Sequence, residues 1–127
     1  MPPETPDPAD HGPMSPRDYL ILLGLSAGPS HGYGLISEIE ALSDGDTSMD
    51  PANLYRAIKR LKRDGLVEDL GRRQVEALEG SDVDERRRYY GLTELGRRAV
   101  STESLRLERL TRVARERRLV PSTEGSP

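Results

Sequence analysis

The sequence of 127 residues contains no cysteine, no tryptophan and no phenylalanine. Without cysteine, disulfide bonds, thiolate catalysis and zinc–cysteine sites are excluded, and such a composition is typical of a cytoplasmic protein. The aromatic residues are five tyrosines, fewer than usually line a large hydrophobic ligand cavity. No apolar run approaches the roughly 18 residues of a membrane span, and no secretory signal peptide precedes the rest. We therefore expect a cytoplasmic protein with no membrane partner.

The length and the apolar third of the sequence are typical of one domain with one modest core. Residues 1–14 are acidic and rich in proline, and residues 119–127 are mostly polar. Both segments lack apolar periodicity and are predicted to be disordered tails. Ordered structure is expected between them.

Positive charge is concentrated in two segments, although the formal net charge of the chain is -3. Residues 56–73 carry seven cations and three anions, and three arginines follow at 86–88. Residues 74–85 carry five anions and no cation. The two basic segments can form one face, which would favour a negatively charged partner.

Two helices are predicted ahead of the first basic segment. Ser15 and Pro16 are typical of a helix start, and Asp18 completes a capping-box-like pair. The apolar stretch YLILLGLSAG then predicts a buried helix that ends at Gly28-Pro29. Ser30 is the expected cap of a second helix, 31–42, in which His31 is a helix-start residue and not a metal ligand. One apolar side of that helix is predicted from residues spaced by three: Tyr33, Ile36, Ile39 and Leu42.

The first basic segment predicts a third, strongly amphipathic helix. Asp50 and Pro51 start it, and Gly65 ends it. At 100° per residue, Leu54, Ile58 and Leu61 face the core. The opposite side carries a small residue and cations, namely Ala52, Arg56, Lys59 and Arg63, flanked by Asn53 and Arg60. This side suits insertion into a groove of nucleic acid, although any amphipathic helix also exposes charges to water.

A hairpin is predicted directly after this helix. Residues 66–71 and 86–92 are each typical of a short strand, and fourteen mostly polar residues separate them. Alternation along the second strand places Arg86 and Arg88 on one face and Arg87 on the other. For the same reason, one of the two tyrosines at 89 and 90 is expected in the core and the other on the surface. A basic helix followed by a hairpin is the layout of a winged helix.

The last predicted helix begins after Thr93 and extends from Glu94 to about Arg118. Its apolar residues are spread along a helix that is too long to be buried on so small a domain. An apolar helix that projects from a small core usually has a partner, so we expect a homodimer. The alternative is that its many Arg and Glu pairs keep it soluble as a monomer.

Three stretches of this sequence resemble the PadR family of winged-helix transcriptional regulators. They are ILLGLSAGPSHGYGLISEIE, DPANLYRAIKRLKRDGLVE and RRRYYGLTELGRRAV, and the resemblance extends from about Pro16 to Arg118. It implies a mainly α fold with a small β-hairpin, in which residues 15–92 form a winged helix-turn-helix domain and residues 93–118 a dimerisation helix. It also implies a homodimeric repressor that binds double-stranded DNA at a palindromic operator.

In such a regulator the helix 51–64 enters the major groove and the wing touches the DNA backbone. The resemblance further implies that the last helix pairs the subunits with help from the first. The expected interface residues are Leu20, Leu23, Leu95, Ala99, Leu107, Leu110 and Ala114. A small-molecule effector is possible in this family, but its identity does not follow from the sequence; no cofactor and no metal are expected.

Some residues depart from the family pattern. Many members have Ser-Pro-Gly-Thr or Ser-Pro-Gly-Ser where this chain has Asp50, Pro51, Ala52 and Asn53. Asp50 can still cap the helix, although its charge would lie near a phosphate. Arg56 stands where proline is common and adds a cation on the DNA side. The long acidic loop of the wing would repel phosphate if it lay close to DNA.

The charge pattern and the resemblance together give the candidate DNA contacts. They are Asn53, Tyr55, Arg56, Lys59, Arg60, Arg63, Arg86, Arg87, Arg88 and Tyr89. Arg56 and Arg63 can bind guanine edges or phosphate, and Lys59 suits phosphate. Asn53 can read adenine or make a local bond at the helix start, and the sequence favours neither.

Two other classes of function are alternatives to the regulator. A winged helix can serve as a protein-interaction module whose basic face binds an acidic partner, and the overall acidity favours this class somewhat. An enzyme is disfavoured because the sequence has no nucleophile–base constellation, no phosphate-binding loop and no metal cluster.

Overall fold

The computed structural model describes residues 12–71, 73–74 and 88–121. Most of both predicted tails and most of the wing loop, with Arg86 and Arg87, lie outside the described residues. The described residues form four helices and three strands. In chain order these are α1 (Pro16–Leu25), β1 (Ser30–His31), α2 (Gly32–Leu42), α3 (Pro51–Arg63), β2 (Val67–Leu70), β3 (Tyr89–Leu92) and α4 (Glu94–Glu116).

Three of the helices begin at the capping residues that the sequence predicts. Ser15, Asp50 and Thr93 each accept a hydrogen bond from the backbone N–H three residues further on, which satisfies a donor that the helix itself leaves unpaired. Gly65 adopts a left-handed backbone, with φ of 80°, just after α3. The following N–H, from Leu66, donates to the carbonyl of Leu61 at 2.9 Å, so this helix ends in a glycine motif as predicted.

The start of α2 differs from the prediction. His31, not Ser30, caps this helix, because its Nδ1 accepts the Gly34 N–H at 3.1 Å. Ser30 instead belongs to β1, which pairs antiparallel with β3 and gives a three-stranded sheet in the order β1-β3-β2. Two residues give no detectable strand pattern, so the sequence predicted only the hairpin.

The apolar side predicted for α2 was also wrong in part. Leu35 and Ile39 are fully buried, whereas the Tyr33 and Leu42 side chains are 67% and 43% exposed. A spacing of three residues falls short of the 3.6 residues of one helical turn. Over nine residues this shortfall amounts to about half a turn, so Tyr33 and Leu42 lie on opposite sides of the helix.

The core is built around α1, as expected for the most apolar segment. Ile21, Leu22 and Leu25 are no more than 1% exposed. They pack in one cluster with the apolar side of α3 and the first half of α4. Close packing of this kind fixes the orientation of α3 and therefore of its exposed side.

The junction between α3 and α4 is unusually tight. The Thr93 hydroxyl donates to the Gly65 carbonyl at 2.6 Å and accepts the Gly96 N–H at 2.9 Å. The Thr93 N–H donates to the Leu66 carbonyl at 3.1 Å. A Cβ atom at Gly96 would lie 2.1 Å from that same carbonyl oxygen. These contacts hold the start of α4 against the turn that leads into the wing.

A buried carboxylate joins α4 to the segment before α1. Glu103 is only 4% exposed, and its two oxygens accept hydrogen bonds from Arg106 at 3.0 and 2.6 Å. The Met14 backbone also hydrogen-bonds to Glu103, and the Met14 side chain packs on the core. Met14 was predicted to belong to the N-terminal tail, so ordered structure begins before Ser15. Nearby, the Tyr19 hydroxyl lies 2.7 Å from the Ser104 hydroxyl.

Glu103 gives a pH-dependent contribution to stability. The hydrogen bonds from Arg106 lower the pKa of Glu103 below its usual 4.5. A lowered carboxylate pKa stabilises the fold above the unfolded value, and this stability is lost as pH falls through the folded value. We expect Glu103→Gln to lower the free energy of unfolding by about 1 kcal/mol at pH 7. The difference from the wild type should shrink in acid, below pH 4.5.

Urea unfolding at matched protein concentrations, at neutral pH and in steps through the acid range, measures this difference. Arg112→Ala, which removes a cation from an exposed pair with Glu108 on the same helix, is the control and should change stability little. A difference between Glu103→Gln and the wild type that stays constant into acid would contradict the assignment.

Among the described helices, none has both the length and the apolar character needed to cross a membrane.

Candidate nucleic-acid interface

The exposed side of α3 carries the cations that the helical wheel predicts. Leu54, Ile58 and Leu61 are at most 2% exposed, whereas Arg56, Lys59 and Arg63 are exposed. We call these three cations the basic face. Arg63, whose side chain is 75% exposed, lies 3.8 Å from Asp64, a distance too long for a tight pair. The basic face is therefore available to an anionic partner.

Asn53 makes local bonds at the start of α3. Its backbone N–H and its side-chain Nδ2 donate to the two carboxylate oxygens of Asp50, each at 2.8 Å. Its Oδ1 accepts a hydrogen bond from the Arg56 guanidinium. Of the two roles that the sequence left open for Asn53, the structure shows the local one. The charge of Asp50 is used to cap the helix and to hold Asn53.

Arg60 is paired across the protein and does not belong to the basic face. Its guanidinium forms two hydrogen bonds of 2.8 Å with Asp18 at the start of α1. The hydrogen bond to Asp18 raises the pKa of Arg60, which keeps the guanidinium charged. The Asp18 side chain is only 14% exposed. Arg60 thus connects α3 to α1, a contact between distant residues that the sequence pattern could not reveal.

Among the described residues of the wing, Arg88 is a cation that lies beside the basic face. Arg88 is exposed just before β3, and it lines a cleft between α3 and the wing with Tyr55, Lys59, Lys62 and Tyr90. Lys62 pairs with Asp69 of β2 and so fixes the wing to α3. Lys62 was not among the predicted site residues, because the helical wheel does not group it with Arg56, Lys59 and Arg63.

Tyr55 lies beside this cleft with about half of its side chain exposed. A Cβ atom at Gly32 would lie 3.0 Å from the Tyr55 hydroxyl. The absence of a side chain at Gly32 therefore leaves room for that hydroxyl at the start of α2. The hydroxyl therefore packs against the start of α2, and its contact with a phosphate stays a prediction.

Tyr89 was predicted to contact DNA, and the structure corrects this. Its side chain is only 9% exposed. The His31 ring packs edge-on against it at 5.5 Å, because β1 pairs with β3 and places His31 opposite Tyr89. Tyr90 is buried too, and burial raises the pKa of its hydroxyl. Only one of the two tyrosines was expected to be buried. Both are buried, because the unpredicted strand β1 packs against Tyr89.

The comparison with protein-family models shows which family this chain belongs to. Residues 21–102 match the model of the transcriptional regulator PadR-like family. The chain belongs to the PadR-like family. It is a transcriptional regulator with a DNA-binding winged-helix fold, and regulators of this family are not enzymes. Within the described residues, no group of histidine and carboxylate side chains could hold a metal ion.

Solved structures support the fold of this PadR-like chain. A transcriptional regulator from Clostridium thermocellum is 24% identical, with a TM-score of 0.60 over 78% of this chain and 89% of that one. A PadR family regulator from Clostridium difficile is 18% identical, with a TM-score of 0.60 over 78% and 94%. Bacillus subtilis PadR in complex with operator DNA is 22% identical, with a TM-score of 0.54 over 71% and 47%. The search of curated proteins gave no match.

The residues predicted for a subunit interface of this PadR-like regulator lie on two helices, α1 and α4. Ala99 is 2% exposed inside the protomer's own core, so its assignment to the interface was wrong. Leu95 also packs on that core, and it is partly buried there. Leu107, Leu110 and Ala114 remain on the second half of α4, beyond the core. Leu20 and Leu23 of α1 are partly buried at the surface of the core.

Proposed function

We propose that this PadR-like chain is a repressor that binds a palindromic operator as a homodimer, with α3 in the major groove. The observation that carries the proposal is the basic face, on which three cations lie together and away from the core. The core fixes α3 rigidly, and rigid presentation favours base readout over non-specific attraction. Arg88 and the half-exposed Tyr55 extend this surface towards the wing and suit contacts with phosphate. Chromosomal DNA as the partner agrees with the cytoplasmic location expected from the sequence.

The second half of α4 supports the proposed dimer. Leu110 is 48% exposed although it is a large apolar residue. Leu107, Leu110 and Ala114 recur at intervals of three and four and therefore form one stripe along the helix. A second copy of this stripe would bury them around a twofold axis. Such a dimer would present two α3 helices, and two half-sites one helical turn apart, about 34 Å, would match them.

We expect Leu110→Arg to convert a dimer into a monomer, because a buried unpaired charge at the stripe is costly. Light scattering after size-exclusion chromatography measures the mass. Leu105→Arg is the matched control, since Leu105 is 64% exposed and lies on the other side of the helix from Leu107. The control should stay dimeric. A wild type with the mass of a single chain, or a Leu110→Arg variant that stays dimeric, would contradict the proposed interface.

The proposed function is tested with genomic fragments captured by the purified full-length protein. Fluorescence anisotropy then compares the recovered duplex with a scrambled duplex of the same composition. Preference for the recovered duplex supports the regulator, and equal weak binding to both contradicts it. Salt dependence alone does not separate DNA from an acidic protein partner, since both are electrostatic. Repression is tested with a reporter gene behind the recovered duplex, whose expression should fall when the protein is present.

A further inference from the structure

We infer that Arg56 reads guanine in each half-site, and that Asn53 and Asp50 position it. The inference rests on the proposed function and assigns a base to one residue of the basic face. The observation behind it is the chain of hydrogen bonds from Asp50 through Asn53 to Arg56 at the start of α3. The first turn of a recognition helix is the part that meets base edges.

Both ends of the Asn53 amide are already hydrogen-bonded within the protein. An asparagine that reads adenine offers both ends of its amide at once, Oδ1 to the base N6 and Nδ2 to N7. Here Nδ2 donates to Asp50 at 2.8 Å, and Oδ1 accepts from Arg56. Adenine readout would have to compete with both bonds, of which one is to a cation and the other to a carboxylate. Charge-assisted bonds of this kind are the stronger class.

Arg56 keeps enough donors to read guanine. A guanidinium has five N–H donors in a planar fork, and only one nitrogen, Nη2, is engaged with Asn53. The free donors match the O6 and N7 acceptors of guanine. The side chain is exposed, and the bond to Asn53 limits the rotamers it can adopt. Less side-chain freedom is then lost on binding, which sharpens discrimination between bases.

Asp50 has a double role in this arrangement. One oxygen caps α3 through the Asn53 N–H, and the other holds the Asn53 amide in the orientation that turns Oδ1 towards Arg56. Serine at position 50 would keep the cap but offers a single oxygen and cannot do both. Asp50 and Asn53 are therefore positioning residues, and Arg56 is the residue that contacts the base.

Selection from a library of duplexes with a randomised segment tests the inference, using the full-length protein and four variants. We expect the wild type to select guanine at one position of each half-site. Arg56→Lys, which keeps the charge but loses the fork, should reduce the preference at that position about tenfold. Asn53→Ala and Asp50→Ser should reduce it by a smaller factor at the same position. Lys59→Ala, on the same face, should weaken binding to all sequences and leave the base preference unchanged.

The outcomes separate this inference from the proposed function. A selected motif in which Asn53→Ala removes an adenine, while Arg56→Lys changes no base preference, overturns the inference and leaves the regulator intact. A motif that all four variants select unchanged also overturns the inference and leaves the regulator intact. A wild type that selects no motif overturns both. Thermal unfolding of each variant shows that it is folded, and a mere loss of stability would not change one base position.

Discussion

Replacing Arg56 and Arg63 together by alanine is expected to weaken binding to the operator about 100-fold, since each arginine of this kind contributes roughly 1–3 kcal/mol. Both side chains are exposed and lie away from the core, so the free energy of unfolding should change little. Binding to unrelated DNA should fall less, because only phosphate contacts contribute there. Anisotropy titrations of the selected and scrambled duplexes at one salt concentration measure both effects.

The matched control for this variant removes the same charge from another surface. Arg97 and Arg112 are exposed on α4, and their joint replacement by alanine should leave operator affinity within a factor of about two, the scale of a distant surface change. If the control weakened operator binding as much as the Arg56→Ala, Arg63→Ala variant, attraction by total charge would explain the affinity. The assignment of the basic face would then be wrong.

Gly96→Ala is expected to cost the most stability among single substitutions. The new Cβ atom would lie 2.1 Å from the Leu66 carbonyl oxygen, and this neighbour is backbone that cannot rotate away. The start of α4 would have to move off the turn after α3, which breaks the hydrogen bonds of Thr93 to Gly65 and Leu66. We expect the free energy of unfolding to fall by about 3 kcal/mol or more.

Chemical unfolding followed by circular dichroism measures this loss. Ser101→Ala, at an exposed position five residues further along α4, is the control and should stay within about 0.5 kcal/mol of the wild type. A Gly96→Ala variant as stable as this control would show that α4 can shift away from the wing at no cost. The rigid placement of the wing beside α3 would then be incorrect.

The sequence predicted the parts of this fold that depend on local chemistry. Ser15, Asp50 and Thr93 could be recognised as caps because the hydrogen bond they accept spans three residues and needs no other element. The same holds for Gly65 and for the core side of α3, whose apolar residues repeat with the helical period. The basic face followed directly, since it is the opposite side of that helix.

The parts that sequence patterns missed depend on contacts between distant residues. Strand β1 has two residues, and only its pairing with β3 defines it; that pairing buries Tyr89, which was predicted to contact DNA. Arg60 flanks the basic face on the helical wheel, but it pairs with Asp18 on another helix. Ala99 has an interface-like spacing on α4, but α1 lies over that part of the helix within the same protomer.

We propose that two copies of α3 bind one operator through their basic faces. A hydroxyl-radical footprint on the selected duplex tests it most directly, because it maps each protected sugar. We expect two protected regions related by symmetry and centred about 34 Å apart, one helical turn, and both should disappear with the Arg56→Ala, Arg63→Ala variant. A single protected region, uniform protection, or a footprint that the variant leaves unchanged would contradict it.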